Sequence, residues 1–139
     1  MGVGMPAYRE VVPRFDRAAI RQRIERLDAP ADLKATLAAL VDTTIELGGK
    51  VIDIGRRILA FTFEFAKAYP NLTLGVVAAL VLSYLVGSIP GLGAVLSPIL
   101  TPLLLIVGIG LGALADLTDS SMRQRLSNLQ AHFQALGVA

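Results

Sequence analysis

From Leu33 onward, apolar residues recur at Leu37, Leu40, Leu47, Val51, Ile54, Ile58, Phe61, Phe65 and Ala68 in alternating steps of four and three, with Thr44 as the one polar member of the row. That period predicts a long amphipathic helix over 31–69, about 55 Å in length at 1.5 Å per residue. Leu37, Leu40, Leu47, Val51, Ile54, Ile58, Phe61 and Phe65 then form a seam that a neighbouring copy of the chain would cover, as in a coiled coil. The opposite stripe carries Asp42, Glu46, Lys50, Asp53, Arg57, Glu64 and Lys67 and reads as a solvated face. Within it, Glu46 with Lys50 and Asp53 with Arg57 have the favourable acid-first spacing of four. Gly48, Gly49 and Gly55 weaken such a helix by about 1 kcal/mol each, so they mark a kink or a close approach of helices.

The flanking segments repeat the helical period on a smaller scale. In an Arg-rich arm over 1–30, Ile20, Ile24 and Leu27 predict a short amphipathic helix within 15–28, and Pro30 opens the next helix. Tyr69-Pro70-Asn71 ends the long helix, because the residue before proline is pushed out of helical geometry; Asn71 is placed to cap a helix starting at Leu72. Over 118–139, Met122, Leu126, Leu129, Phe133 and Leu136 line one face of a last amphipathic helix, with Thr118, Asp119 or Ser120 as its cap.

Between these segments the polar pattern stops. Ala68 to Ala115 is 48 residues without Asp, Glu, Lys, Arg or His. One crossing of a bilayer takes about 20 apolar residues, so a run of this length with a break at its centre predicts a two-helix membrane hairpin over 71–115. The crossings fall at about 72–89 and 94–114, and Pro90, Gly91 and Gly93 make the turn. Gly75, Ala79, Ser83 and Gly87 stand at strict intervals of four, and Gly108 and Gly112 form a second small-residue row; both rows favour close helix packing in lipid. Pro98 and Pro102 predict a bend in the second helix. The order Pro90, Ser97-Pro98, Pro102 resembles the proline knot of oleosins over 13 residues, with the first gap one residue longer. That resemblance implies a hairpin dipping into lipid.

The fold class read from the chain is therefore all-α: a membrane helical hairpin flanked by long amphipathic cytoplasmic helices, assembled as an oligomeric bundle. Composition agrees, with 54% hydrophobic and 17% charged residues and a mean hydropathy of +0.63. The first 30 residues lack the apolar core of a secretory signal, and Arg56, Arg57 and Lys67 before the hairpin with Arg123 and Arg125 after it place both termini on the cytoplasmic side. A bacterial-type inner membrane is the expected location.

Chemistry-bearing patterns are sparse. There is no Cys, and the single His, His132, falls on the polar side of the last helix, where it reads as inert. No paired carboxylates, nucleophile with base, phosphate loop or metal spacing occurs, so no catalytic residue, cofactor or metal is expected and the chain reads as a non-enzyme. In residues 1–30, six arginines against four acids leave +2, too little to point to nucleic acid. The expected partners are the lipid bilayer and further copies of the chain, or a larger membrane complex to which it is accessory. A self-assembling scaffold or organiser is the leading functional expectation. A homo-oligomeric pore or channel whose conduit is lined by Ser83, Ser97 and Thr101 is the alternative.

Overall fold

The computed structural model describes residues 16–138. They form seven helices and one short antiparallel hairpin: α1 (Arg17–Glu25), α2 (Ala31–Val41), β1 (Ile45–Leu47), β2 (Lys50–Ile52), α3 (Ile54–Ala68), α4 (Leu74–Ser88), α5 (Pro90–Val107), α6 (Leu111–Leu117) and α7 (Ser120–Ala135). The first fifteen residues of the Arg-rich arm lie outside the described set.

The expected continuous helix over 31–69 is not formed. It is divided into α2 and α3 by the β1–β2 hairpin, in which Ile45 pairs with Ile52, Glu46 with Val51 and Leu47 with Lys50. The cause is the Gly48-Gly49 pair, with φ of +57° and +81°, the conformation a two-residue hairpin turn requires and other residues resist. Replacing Gly49 by Ala is expected to cost about 1–2 kcal/mol, because a Cβ in the left-handed region crowds the following carbonyl; a urea midpoint measured by circular dichroism checks it.

The division also dissolves the predicted oligomer seam. Leu37, Leu40, Ile54, Ile58 and Phe65 are buried in the chain's own core, Leu47 and Phe61 are partly buried, and Val51 points outward at 66% exposure. The charge stripe regroups accordingly: Asp42 pairs with Arg17 of α1, Asp53 with Arg56 at 2.7 Å, and Lys67 with Glu64 at 3.0 Å.

The reversal of direction needs an unusually close approach. The Gly55 amide donates to the Thr43 carbonyl at 3.0 Å, and a Cβ on Gly55 would overlap the Leu40 carbonyl oxygen and stand 2.8 Å from the Leu40 carbonyl carbon. Gly55 is thus the point at which the start of α3 passes the end of α2.

α4 lies at the centre of the molecule, in contact with α3, α5, α6 and α7. It carries no charged residue and is apolar on every side, as a helix enclosed by others must be. Its cap is Thr73, whose hydroxyl accepts from the Val76 amide at 3.3 Å, rather than Asn71. α4 and α5 make a helical hairpin: Gly75 near the start of α4 meets Val107 at the end of α5, and Val86 lies beside Gly93 at the other end. The turn is shorter than expected. Ile89 alone is non-helical, Pro90 is the first residue of α5, and Gly91 and Gly93 belong to the helix. Proline suits a first helical position because its missing N–H would have no intrahelical partner there. Pro98 and Pro102 lie within α5, and the helix ends at Gly108, which takes the left-handed conformation at φ +70°.

The outer helices close over this hairpin. α1 buries Ile20 and Ile24 against α2 and α3. α7 starts at Asp119, whose carboxylate accepts from the Met122 amide at 2.9 Å, and it buries Met122, Leu126, Leu129 and Phe133 as its spacing predicts.

Candidate functional site

Two surfaces stand out once the core is accounted for. The first is the outer side of α5. Its inner stripe, Leu92, Leu96, Leu100 and Leu103, is buried against α4 and α2, yet these are only 22% of the helix. Ala94, Pro98, Thr101 and Leu105 form a second stripe, spaced four, three and four, and all are exposed; Leu105 reaches 79%. The stripe runs on through Gly108 and Gly112, both exposed, beside Leu111 at 57% exposure. A shallow depression of about 390 Å³ lies in it, lined by Thr101, Leu104, Leu105, Gly108, Ile109 and Gly110.

α5 is 18 residues long with a mean hydropathy of 1.9, and it is the one helix among the described residues long and apolar enough to cross a membrane. At 1.5 Å per residue it spans about 27 Å, close to the hydrocarbon thickness of a bilayer. α4 has 15 residues and reaches about 22 Å. The expected pair of full crossings therefore reduces to one helix of sufficient length.

The small residues separate by environment. Gly75 and Ala79 are buried within the helical hairpin, and a Cβ on Gly75 would stand 2.8 Å from Val107 and 3.3 Å from Leu33. Gly87, Gly108 and Gly112 face open space. Ser83 is partly buried and its hydroxyl donates to the Leu80 carbonyl at 3.1 Å. Of the remaining hydroxyls proposed for a conduit, Ser97 is partly buried and Thr101 is exposed beside the depression.

The second surface is the seat of α7, and the sequence reading missed it. Tyr84, in the second half of α4, donates its hydroxyl to Gln130 at 2.8 Å. Tyr69 shares a hydrogen bond with Ser121 at 2.6 Å, and the Arg125 guanidinium lies 5.7 Å from the Tyr69 ring centre. His132 is engaged after all: Arg57 on α3 donates to its Nε2 at 3.2 Å. Spacing within α7 identified its apolar face, but long-range polar partners leave no periodic trace.

Electrostatics at this seat are directional. Partial burial, followed by the charge of Arg57, pushes the His132 imidazole below its ordinary value of 6.5. The folded protein then takes up this proton less readily than the unfolded chain. Stability from this group is complete above about pH 6.5 and declines as pH falls through that value towards the lower folded one. His132→Gln is expected to flatten this part of the profile, read as urea midpoints between about pH 7.5 and pH 5. Where α1 meets the end of α2, the hydrogen bond from Arg17 holds the Asp42 carboxyl below the usual carboxylate range.

Among the described residues no cluster of three or more His, Asp or Glu side chains is placed to hold a metal. The arrangement is that of a mostly helical protein with one candidate membrane-spanning helix. No protein-family model, curated protein or solved structure matches the chain.

Proposed function

We propose that this chain is a small non-enzymatic membrane protein that self-assembles and acts as a scaffold or organiser, with the outer stripe of α5 set in lipid. The observation that carries the reading is that stripe: a helix of membrane-crossing length on which Ala94, Pro98, Thr101 and Leu105 are left exposed along one side. In water such a face is costly at roughly 25 cal/mol per Å² of apolar area. Acyl chains or a second copy of the same face would remove that cost, and patches of this kind mark interaction surfaces.

Self-assembly would use the small residues that face outward. Gly75 is a poor probe, since any larger side chain there collides with Val107 and Leu33 inside the monomer. Gly87 is the clean one, because nothing lies near it. Gly87→Leu is expected to shift the oligomer towards monomer in mild detergent while leaving helix content unchanged, as read by light scattering and circular dichroism. An unchanged particle mass would remove Gly87 from the assembly surface.

The pore reading is favoured by one observation, the exposed Thr101 hydroxyl beside an apolar depression on the outer stripe. Ion flux into liposomes that is abolished by Thr101→Val would support it; assembly on vesicles without flux supports the scaffold.

A further inference from the structure

α7 covers a helix that would otherwise be apolar surface. Met122, Leu126, Leu129 and Phe133 are buried along one side of it, and α4 beneath has no charged residue of its own. Three polar contacts, one to α4 and two to α3 and its end, hold the cover down: Gln130 to Tyr84, Ser121 to Tyr69, and His132 to Arg57. The link from α5 to α7 contains Gly108, Gly110 and Gly112, all with free space around them, and Gly108 already sits in a conformation that other residues adopt rarely. α6 lies within that link and packs on α4 through the buried Leu114, so α7 swings about 118–119, where Thr118 and Asp119 are extended backbone between the two helices.

We propose that α7 is a strap whose closure over α4 is governed by His132 against Arg57, and that protonation of His132 opens it and uncovers for lipid the side of α4 that carries Tyr84. The proposal rests on the membrane reading above for its last step only. In the closed state the Nε2 lone pair accepts from Arg57, so the ring is neutral. Protonation removes that acceptor and sets two cations against each other. The charge acting on the ring is that of Arg57 from α3; α4 offers only the neutral Tyr84 hydroxyl, and the cations of α7 itself, Arg123 and Arg125, lie about two turns away. The lowered proton affinity of His132 in the folded state has the sign this requires. Each unit of difference in that affinity between closed and open forms changes their ratio by about tenfold.

While Gln130 is bonded to Tyr84 the last helix lies alongside α4, so α4 cannot be surrounded by acyl chains in the closed form. Release of α7 uncovers that side alone, since α3 and α6 stay packed on α4.

The chain has no cysteine, so spin labels at Ala68→Cys and Asn128→Cys, both exposed positions on α3 and α7, report the strap directly by pulsed electron resonance. We expect one short distance at about pH 7.5 and an added longer component at about pH 5. His132→Gln should keep the short distance at both values, and His132→Lys should show the longer component already at neutral pH. Arg57→Gln, with helix content checked by circular dichroism, should weaken the acid response. A distance indifferent to pH, or an acid response that survives His132→Gln, overturns the strap. The same samples floated with phosphatidylcholine–phosphatidylglycerol vesicles separate the two readings. Opening without vesicle binding contradicts the membrane reading and leaves the strap standing, whereas binding with an unchanged distance contradicts the strap alone.

Discussion

Gly55→Ala is expected to destabilise the protein by on the order of 3 kcal/mol or more, enough to unfold a domain of this size at modest urea. A methyl group there would overlap the Leu40 carbonyl oxygen and press on the Thr43 carbonyl, which is 3.2 Å from the position of the new carbon. Both neighbours are backbone atoms at the end of α2, so no side chain can turn aside to make room. The start of α3 would have to lift off α2, breaking the Gly55–Thr43 hydrogen bond and opening the packing around Ile54, Ile58 and Leu40, all of which are fully enclosed. Gly87→Ala is the matched control: it too is a helical glycine, but its surroundings are open, and it is expected to be neutral or to gain up to about 1 kcal/mol from reduced chain entropy. Urea denaturation followed by circular dichroism distinguishes them. Equal midpoints for the two variants would show that the α2–α3 crossing is looser than described.

The second large effect concerns the outer stripe of α5. Leu105→Lys is expected to lower partition into vesicles by roughly tenfold: Leu105 stands two residues from the end of α5, about 10 Å from its midpoint, where the long side chain reaches the interface and the cost falls below the roughly 2.5–3.5 kcal/mol of the bilayer centre. The fold should be nearly indifferent to the change, because Leu105 is 79% exposed and makes little of the core. Leu103→Lys, two residues away and fully buried, should instead destroy the fold. A vesicle-binding isotherm for Leu105→Lys beside an unfolding curve for each variant therefore separates a lipid-facing residue from a core residue on the same helix.

Much of the helical content was legible in the chain. Ile20 and Ile24 of α1, and Met122, Leu126, Leu129 and Phe133 of α7, are buried as their spacing requires, and Asp119 caps as its side-chain chemistry predicts. These are local properties, decided within two or three turns. The segment over 31–69 misled because its steps of four and three continue straight through β1 and β2. Gly48-Gly49 was the available signal: two adjacent glycines between short β-branched runs mark a hairpin, and the turn geometry overrides an apolar period that a chain satisfies equally well by folding back.

The chargeless run illustrates a different limit. Hydropathy cannot tell a helix enclosed by other helices from one enclosed by lipid: α4 is buried on nearly every side, while the equally apolar α5 keeps Ala94, Pro98, Thr101 and Leu105 exposed. α4 is enclosed by α3, α5, α6 and α7, and α7 is seated through Gln130, Ser121 and His132, which reach across more than 40 residues of sequence to their partners. No spacing rule connects such residues, so the polar seat of α7 and the engagement of His132 became visible only in three dimensions.

In the function proposed above, the outer stripe of α5 faces lipid. A bimane label at Leu105→Cys in vesicle-bound protein tests it most directly, using nitroxide lipids to quench from within the acyl region and iodide to quench from water. Strong quenching by a nitroxide placed high in the acyl chain and little by iodide is the expected result, since Leu105 lies two residues from the end of α5. Efficient iodide quenching with no effect of the lipid probe would contradict it.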